Sequence, residues 1–144
     1  MPLVAPNNGL NLFNALLWKD AAVPALPWYL VLYSNNFTPT QASVIADFTE
    51  ATFTGYSAVE LNRATWQAPA LVGNKSQIQY GTTPITWTAT AGFQTIYGYV
   101  IFEGVSNKLL IAEKFATAVD LNLYPVIGVL PRVTLTTDCG CPTP

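Results

Sequence analysis

At 144 residues the chain has the length of one domain and can bury a core without disulfide or metal support. Hydrophobic residues make up 51% of it and charged residues 10%, where an ordinary soluble domain carries roughly 25% charged residues. Six Lys and Arg against eight Asp and Glu, with no basic run, exclude the cationic surface that nucleic acids require.

Residues 1–9 contain Pro2, Pro6, Asn7, Asn8 and Gly9 and read as an extended arm. Beyond a cap at Asn8 or Asn11, Leu10, Phe13, Leu16 and Leu17 recur at helical spacing and predict one short helix. The most apolar window, "AAVPALPWYLVLY" at 21–33, falls short of the ~20 residues that span a bilayer and carries Pro24 and Pro27. It predicts a core strand with a stiff lead-in. "MPLVAPNNGL" has neither the basic start nor the apolar middle of a secretory signal.

From there the period changes. Strands are expected at "WYLVLYS" (28–34), "SAVEL" (57–61), "SQIQY" (76–80), "ITWTAT" (85–90), "QTIYGYVIFE" (94–103), "KLLIAEKF" (108–115) and "GVLPRVTLT" (128–136). Short β-rich runs separated by Gly, Pro and Asn imply an all-β fold, an antiparallel sandwich or barrel of jelly-roll type. Strands do not alternate with long helices, which argues against a doubly wound sheet. The organisation expected is an arm at 1–9, a single β domain at 10–136 and a polar tail at 137–144.

The segments 94–103 and 108–115, joined by "GVSN", predict a β-hairpin with a four-residue loop, or a two-residue loop at Ser106 and Asn107. Pairing Glu103 with Lys108 brings Ile101 to Leu110, Tyr99 to Ala112 and Tyr97 to Lys114. The opposite face then carries Ile96, Gly98, Val100 and Phe102 beside Leu109, Ile111, Glu113 and Phe115. Glu113 falls across from Gly98, where a missing side chain leaves room.

With no histidine, the usual nucleophile activators, general bases and imidazole metal ligands are absent. Carboxylate pairs remain. Glu103 and Glu113 point to opposite sides of the hairpin under either loop and form no dyad unless a bulge intervenes; a glycosidase-type pair needs ~5 to 9 Å. Asp47 and Glu50, three apart, are the other pair, with a capping or surface role the simpler reading. Cys139 and Cys141 are two sulfurs of the four a tetrahedral zinc site needs. No glycine-rich phosphate cradle is present. "NFT" at 36–38 and "NKS" at 74–76 match the glycosylation sequon but mean little without a secretory signal. Trp66, Trp87, Tyr97 and Tyr99 suggest a sugar-stacking platform aided by Asn62 and Arg63, against the simpler reading that they are core or interface. No catalytic residue, cofactor site or metal site is therefore expected.

Taken in order, a short helix, "LVLYSNNFTPT", "DFTEATFTGYSAVEL", a following Trp, "YGYVIFEG" and "LLIAEKF" resemble a group of small structural proteins of tailed-bacteriophage virions, over about residues 10–136. The resemblance implies an all-β virion component without catalytic residues. Low charge and abundant aromatics suit a subunit that buries its flanks against neighbours. The role expected is a capsid cement or decoration protein on the capsid exterior, a homo-oligomer with a trimer favoured, bound to the major capsid protein and not to nucleic acid or membrane. The alternatives are a minor tail or fibre-associated protein contacting a host receptor or glycan, a small hydrolase using Asp47 and Glu50, and a cell-surface adhesin module. Within "DFTEATFTGYSAVEL", Phe48 and Phe53 are expected to pack, Gly55 to turn the chain, and the acids to supply caps and solvated edges.

Overall fold

The computed structural model describes residues 4–7, 9, 27–72 and 75–135. The helix expected at 10–17 and the tail at 137–144, with Cys139 and Cys141, lie outside the described residues. Among the described residues nine strands follow in chain order: β1 (Trp28–Tyr33), β2 (Val59–Leu61), β3 (Ala70–Val72), β4 (Lys75–Gln79), β5 (Ile85–Thr88), β6 (Thr95–Glu103), β7 (Lys108–Asp120), β8 (Val126–Val129) and β9 (Arg132–Leu135). Every recorded ladder register is antiparallel, so the fold is all-β. The sheets are open, in the orders β2-β1-β6-β7, β3-β4-β9 and β5-β8, and none closes into a barrel. By its contacts the chain forms two compact units, the first comprising Met1–Asn62 with Thr86–Ile127, the second Arg63–Ile85 with Gly128–Pro144.

The first unit is built on the four-stranded sheet. Its branched and aromatic strands are apolar on both faces because both faces are buried. Strand alternation places Leu30, Leu32, Tyr99 and Ile101 on one face, each at most 2% exposed. The other face carries Val31, Tyr33, Val100, Leu109 and Ala112, against which Ile45, Phe48, Tyr97 and Phe102 pack. Ile45 and Phe48 reach it from a 3-10 turn, Ile45–Asp47, which is held because the Val44 amide donates to the Asp47 carboxylate at 2.9 Å.

The hairpin has the expected four-residue loop. Glu103 pairs with Lys108 and Phe102 with Leu109, but the register then slips by one residue at Leu110. Ile101 therefore meets Ile111, Val100 meets Ala112, Tyr99 meets Glu113 and Gly98 meets Lys114. This bulge corrects the expected faces, since one extra residue turns every following side chain over. Glu113 moves to the Tyr99 side, where it accepts the Tyr99 hydroxyl at 2.6 Å. The space at Gly98 is taken instead by Tyr33, whose hydroxyl and Cε1 would lie 2.6 and 2.7 Å from an added Cβ, with the Glu113 carbonyl closer still. Lys114 makes no pair with Tyr97; its ammonium donates to Asn36 at 2.6 Å and Thr38 at 3.1 Å. A second irregularity between Ile96 and Gly98 absorbs the remaining extra residues of the longer strand.

Part of the N-terminal arm is described, and it pairs within its own chain. Val4 bridges Ala112 on the outer edge of β7, with hydrogen bonds of 2.8 and 3.0 Å in the two directions.

The second unit carries the sheet β3-β4-β9. Register and alternation put Leu71, Ser76, Ile78 and Val133 on one face and Lys75, Gln77, Gln79, Arg132 and Thr134 on the other. The polar face is cross-linked: Gln77 donates to Thr134 at 3.1 Å and Arg132 to Gln79 at 2.8 Å. β3 was not expected from the sequence, and the run 128–136 is divided by Leu130 and Pro131 into β8 and β9. Proline cannot donate to a ladder, which accounts for the break.

Candidate functional site

Residues 47–61 place Asp47 and Glu50 in one segment with Tyr56, against which Trp87 packs. Phe48 packs edge-on against Tyr33 and Phe37, with ring centroids 5.0 and 5.1 Å apart. Phe53 is 2% exposed and lies 5.4 Å from Tyr56. The chain turns at Gly55 with φ of +98°, and an added Cβ there would strike the Thr88 carbonyl. Only glycine satisfies both conditions. Tyr56 then donates to Glu50 at 2.8 Å and accepts the Leu32 amide at 3.3 Å. Trp87 stacks obliquely 6.4 Å from Tyr56 and donates its indole N–H to the Ser57 carbonyl at 2.9 Å.

These contacts settle where the acids stand. Asp47 caps its turn, and Glu50 anchors Tyr56. Burial first, and then the hydrogen bond and charge of Glu50, raise the Tyr56 hydroxyl well above the ordinary tyrosine range, against a smaller opposing effect of the Leu32 amide. Tyr33 is raised likewise, by burial and then by the Glu113 charge. Neither phenol is an acid–base group near neutral pH. Glu50 also borders a pocket of about 80 Å³ lined by Val31, Tyr33, Ile45, Phe48 and Phe102, and Asp47 does not. Ligand pockets run from about 300 Å³ upward.

Glu103 and Glu113 share a face once the bulge is counted, so the expected parity is corrected. Their separation still decides the matter. Glu113 stands opposite Tyr99, four residues along the strand from Glu103, or about 13 Å. Glu103 is 4% exposed and turned into its own loop, where it accepts the Val105 amide at 2.9 Å, the Ser106 amide at 2.8 Å and the Ser106 hydroxyl. The Ser106 hydroxyl, the two amides and the Lys108 charge hold its carboxyl below the usual range, outweighing the opposing effect of burial.

Two of the four aromatics of the sugar platform are withdrawn from the surface. Trp87 and Tyr99 are 4% and 2% exposed and belong to the first unit's core. Trp66 lies in the second unit, bridged to Tyr80 and edge-on to its ring at 5.3 Å. Among the described residues, no three His, Cys, Asp or Glu side chains come together as a metal would need, and no helix is long and apolar enough to cross a membrane.

What the surface does offer is apolar. In the first unit Leu123, Tyr124 and Val126 are 71%, 67% and 55% exposed around the turn between β7 and β8, and in the second Leu71 and Val72 of β3 are 80% and 57% exposed. Periodicity did not single these out, because each occupies a turn or a strand of three or four residues. Comparison with protein-family models and with curated proteins returns no match to this chain.

Proposed function

We propose that the chain is a virion structural protein: a capsid cement or decoration protein that self-associates, as a trimer by preference, and grips the major capsid protein on the capsid exterior. The observation that carries this reading is the coincidence of large exposed apolar side chains with a surface in which charge is scarce. Large apolar side chains left in water favour burial against another protein, and interface cores are depleted in charge. The polar groups of both candidate sites are meanwhile engaged by the scaffold itself. A cement subunit needs no reactive group. It needs flanks that lose water on docking, repeated many times over a shell so that weak contacts act together.

Immunogold electron microscopy of virions whose genome encodes this chain is the direct test. Label spread over the head shell is expected. Label confined to the tail tip would shift the assignment to a fibre-associated protein, and particles without label would overturn a virion role.

A further inference from the structure

The charges are not shared evenly between the two units. The second unit holds three of the six basic residues, Arg63, Lys75 and Arg132, with a single acid, Asp138, giving a net charge of +2. The first unit holds the other three bases and seven acids, a net charge of −4. Each unit also presents large exposed apolar side chains. In the second, Leu71 and Val72 lie on β3, an edge strand of its sheet, with Lys75 paired to Val72 in the adjoining strand. In the first, Leu123, Tyr124 and Val126 follow Asp120, whose carboxylate accepts the Asn122 amide at 2.9 Å and so shapes the turn.

We propose that the chain associates head to tail, with the β3 edge of the second unit in one copy seated against the 123–126 turn of the first unit in a second copy. The charge partition selects this pairing. Two second units repel one another, as do two first units, whereas unlike units attract and orient the encounter. Desolvation of Leu71, on one face of that edge strand, against Leu123, Tyr124 and Val126 then holds it. An interface of unlike patches either closes into a ring or continues as a filament, and a ring accommodates the favoured trimer. The inference deepens the cement reading and rests on its premise of self-association.

Sedimentation equilibrium of the full chain and two variants tests it. Leu71→Asp and Leu123→Asp alter side chains that are 80% and 71% exposed, so each folds, as far-ultraviolet circular dichroism will verify. Each variant alone should raise the dissociation constant by about tenfold or more and sediment toward the monomer mass of 15.6 kDa. Mixed in equal amounts they should form a one-to-one complex and nothing larger, because one keeps an intact turn and the other an intact β3 edge. Association of the unmodified chain should also weaken as salt rises from about 0.05 to 0.5 M. Leu123→Asp assembling like the unmodified chain, or a mixture that gives no complex, would overturn head-to-tail association. So would association that salt strengthens. An unmodified chain that stays monomeric at every concentration would instead remove the premise of self-association itself.

Discussion

Replacing Glu103 by Gln isolates what the hairpin loop owes to one carboxylate. Three donors converge on it, the Val105 and Ser106 amides and the Ser106 hydroxyl. Gln keeps one acceptor oxygen and turns an NH₂ group toward one of those amides, so at least one charge-assisted bond is lost. Such bonds contribute about 1.5–3 kcal/mol, and an amide left facing a donor adds a desolvation cost. Val105 is 68% exposed, which lets its amide recover water and keeps the total near the lower end, about 2 kcal/mol. For a chain of this size that corresponds to a fall in Tm of about 4–8 °C at pH 7. The folded Glu103 carboxyl is held below its unfolded value of 4.5, so its contribution is complete above that pH and disappears as the pH falls through the lower, folded value. Gln does not titrate. Urea unfolding followed by tryptophan fluorescence should therefore show the gap between the two chains at its full size at pH 7 and narrowed at pH 3. A gap below about 0.5 kcal/mol at pH 7, or one unchanged at pH 3, would refute the assigned role.

Gly98→Ala should cost about 1–3 kcal/mol by overpacking, and removing the Tyr33 ring should not restore it, since the Glu113 carbonyl also blocks the new methyl; calorimetry of the single and double variants checks this. Tyr33 and Tyr56 have raised pKa values, so the stability they contribute is complete below pH 10, the value of a free phenol, and is lost as pH climbs toward their folded values. Ultraviolet titration should accordingly show Tyr33 and Tyr56 ionising only together with alkaline unfolding, and early ionisation of all seven tyrosines would contradict their burial. Val4→Pro removes the donor to the Ala112 carbonyl. Hydrogen exchange at the Ala112 amide should then quicken with little change in Tm, and undiminished protection would mean that the bridge adds nothing.

The strand content was legible because its signals are local. "WYLVLY" became β1, and "GVSN" between Glu103 and Lys108 gave the loop and first pairs of the hairpin. The bulge was not legible: in "LLIA" every candidate for the extra residue is apolar, so alternation fits with or without it. That one residue decided which side Glu113 occupies and what fills the space at Gly98. β3 escaped notice because three residues are too few to show a period, although Gly73-Asn74 before Lys75 is a hairpin signal. The candidate site was legible in part. Asp47 as a cap, Phe48 and Phe53 as packing residues and Gly55 as a turn follow from residue type. The Glu50–Tyr56–Leu32 connection depends on tertiary placement and has no sequence signature. The division into two units crosses the chain at 62, 85 and 127 without any linker-like composition, and only contacts reveal it.

β7 has thirteen residues where its partner β6 has nine. One of the surplus sits at Leu110, and the other three fall between Lys114 and Val119, where β6 has only Tyr97 between the paired Gly98 and Ile96. Both increments are odd, so the second cancels the phase change made by the first. Between them Ile111, Ala112, Glu113 and Lys114 form a short inverted cassette inside an otherwise in-phase ladder. A lone insertion or deletion inside this strand flips the orientation of whatever follows it, whereas a matched pair at the two irregularities leaves the outer positions where they were. A change in the length of β7 that keeps the outer side chains facing as they do must therefore add or remove an even number of residues.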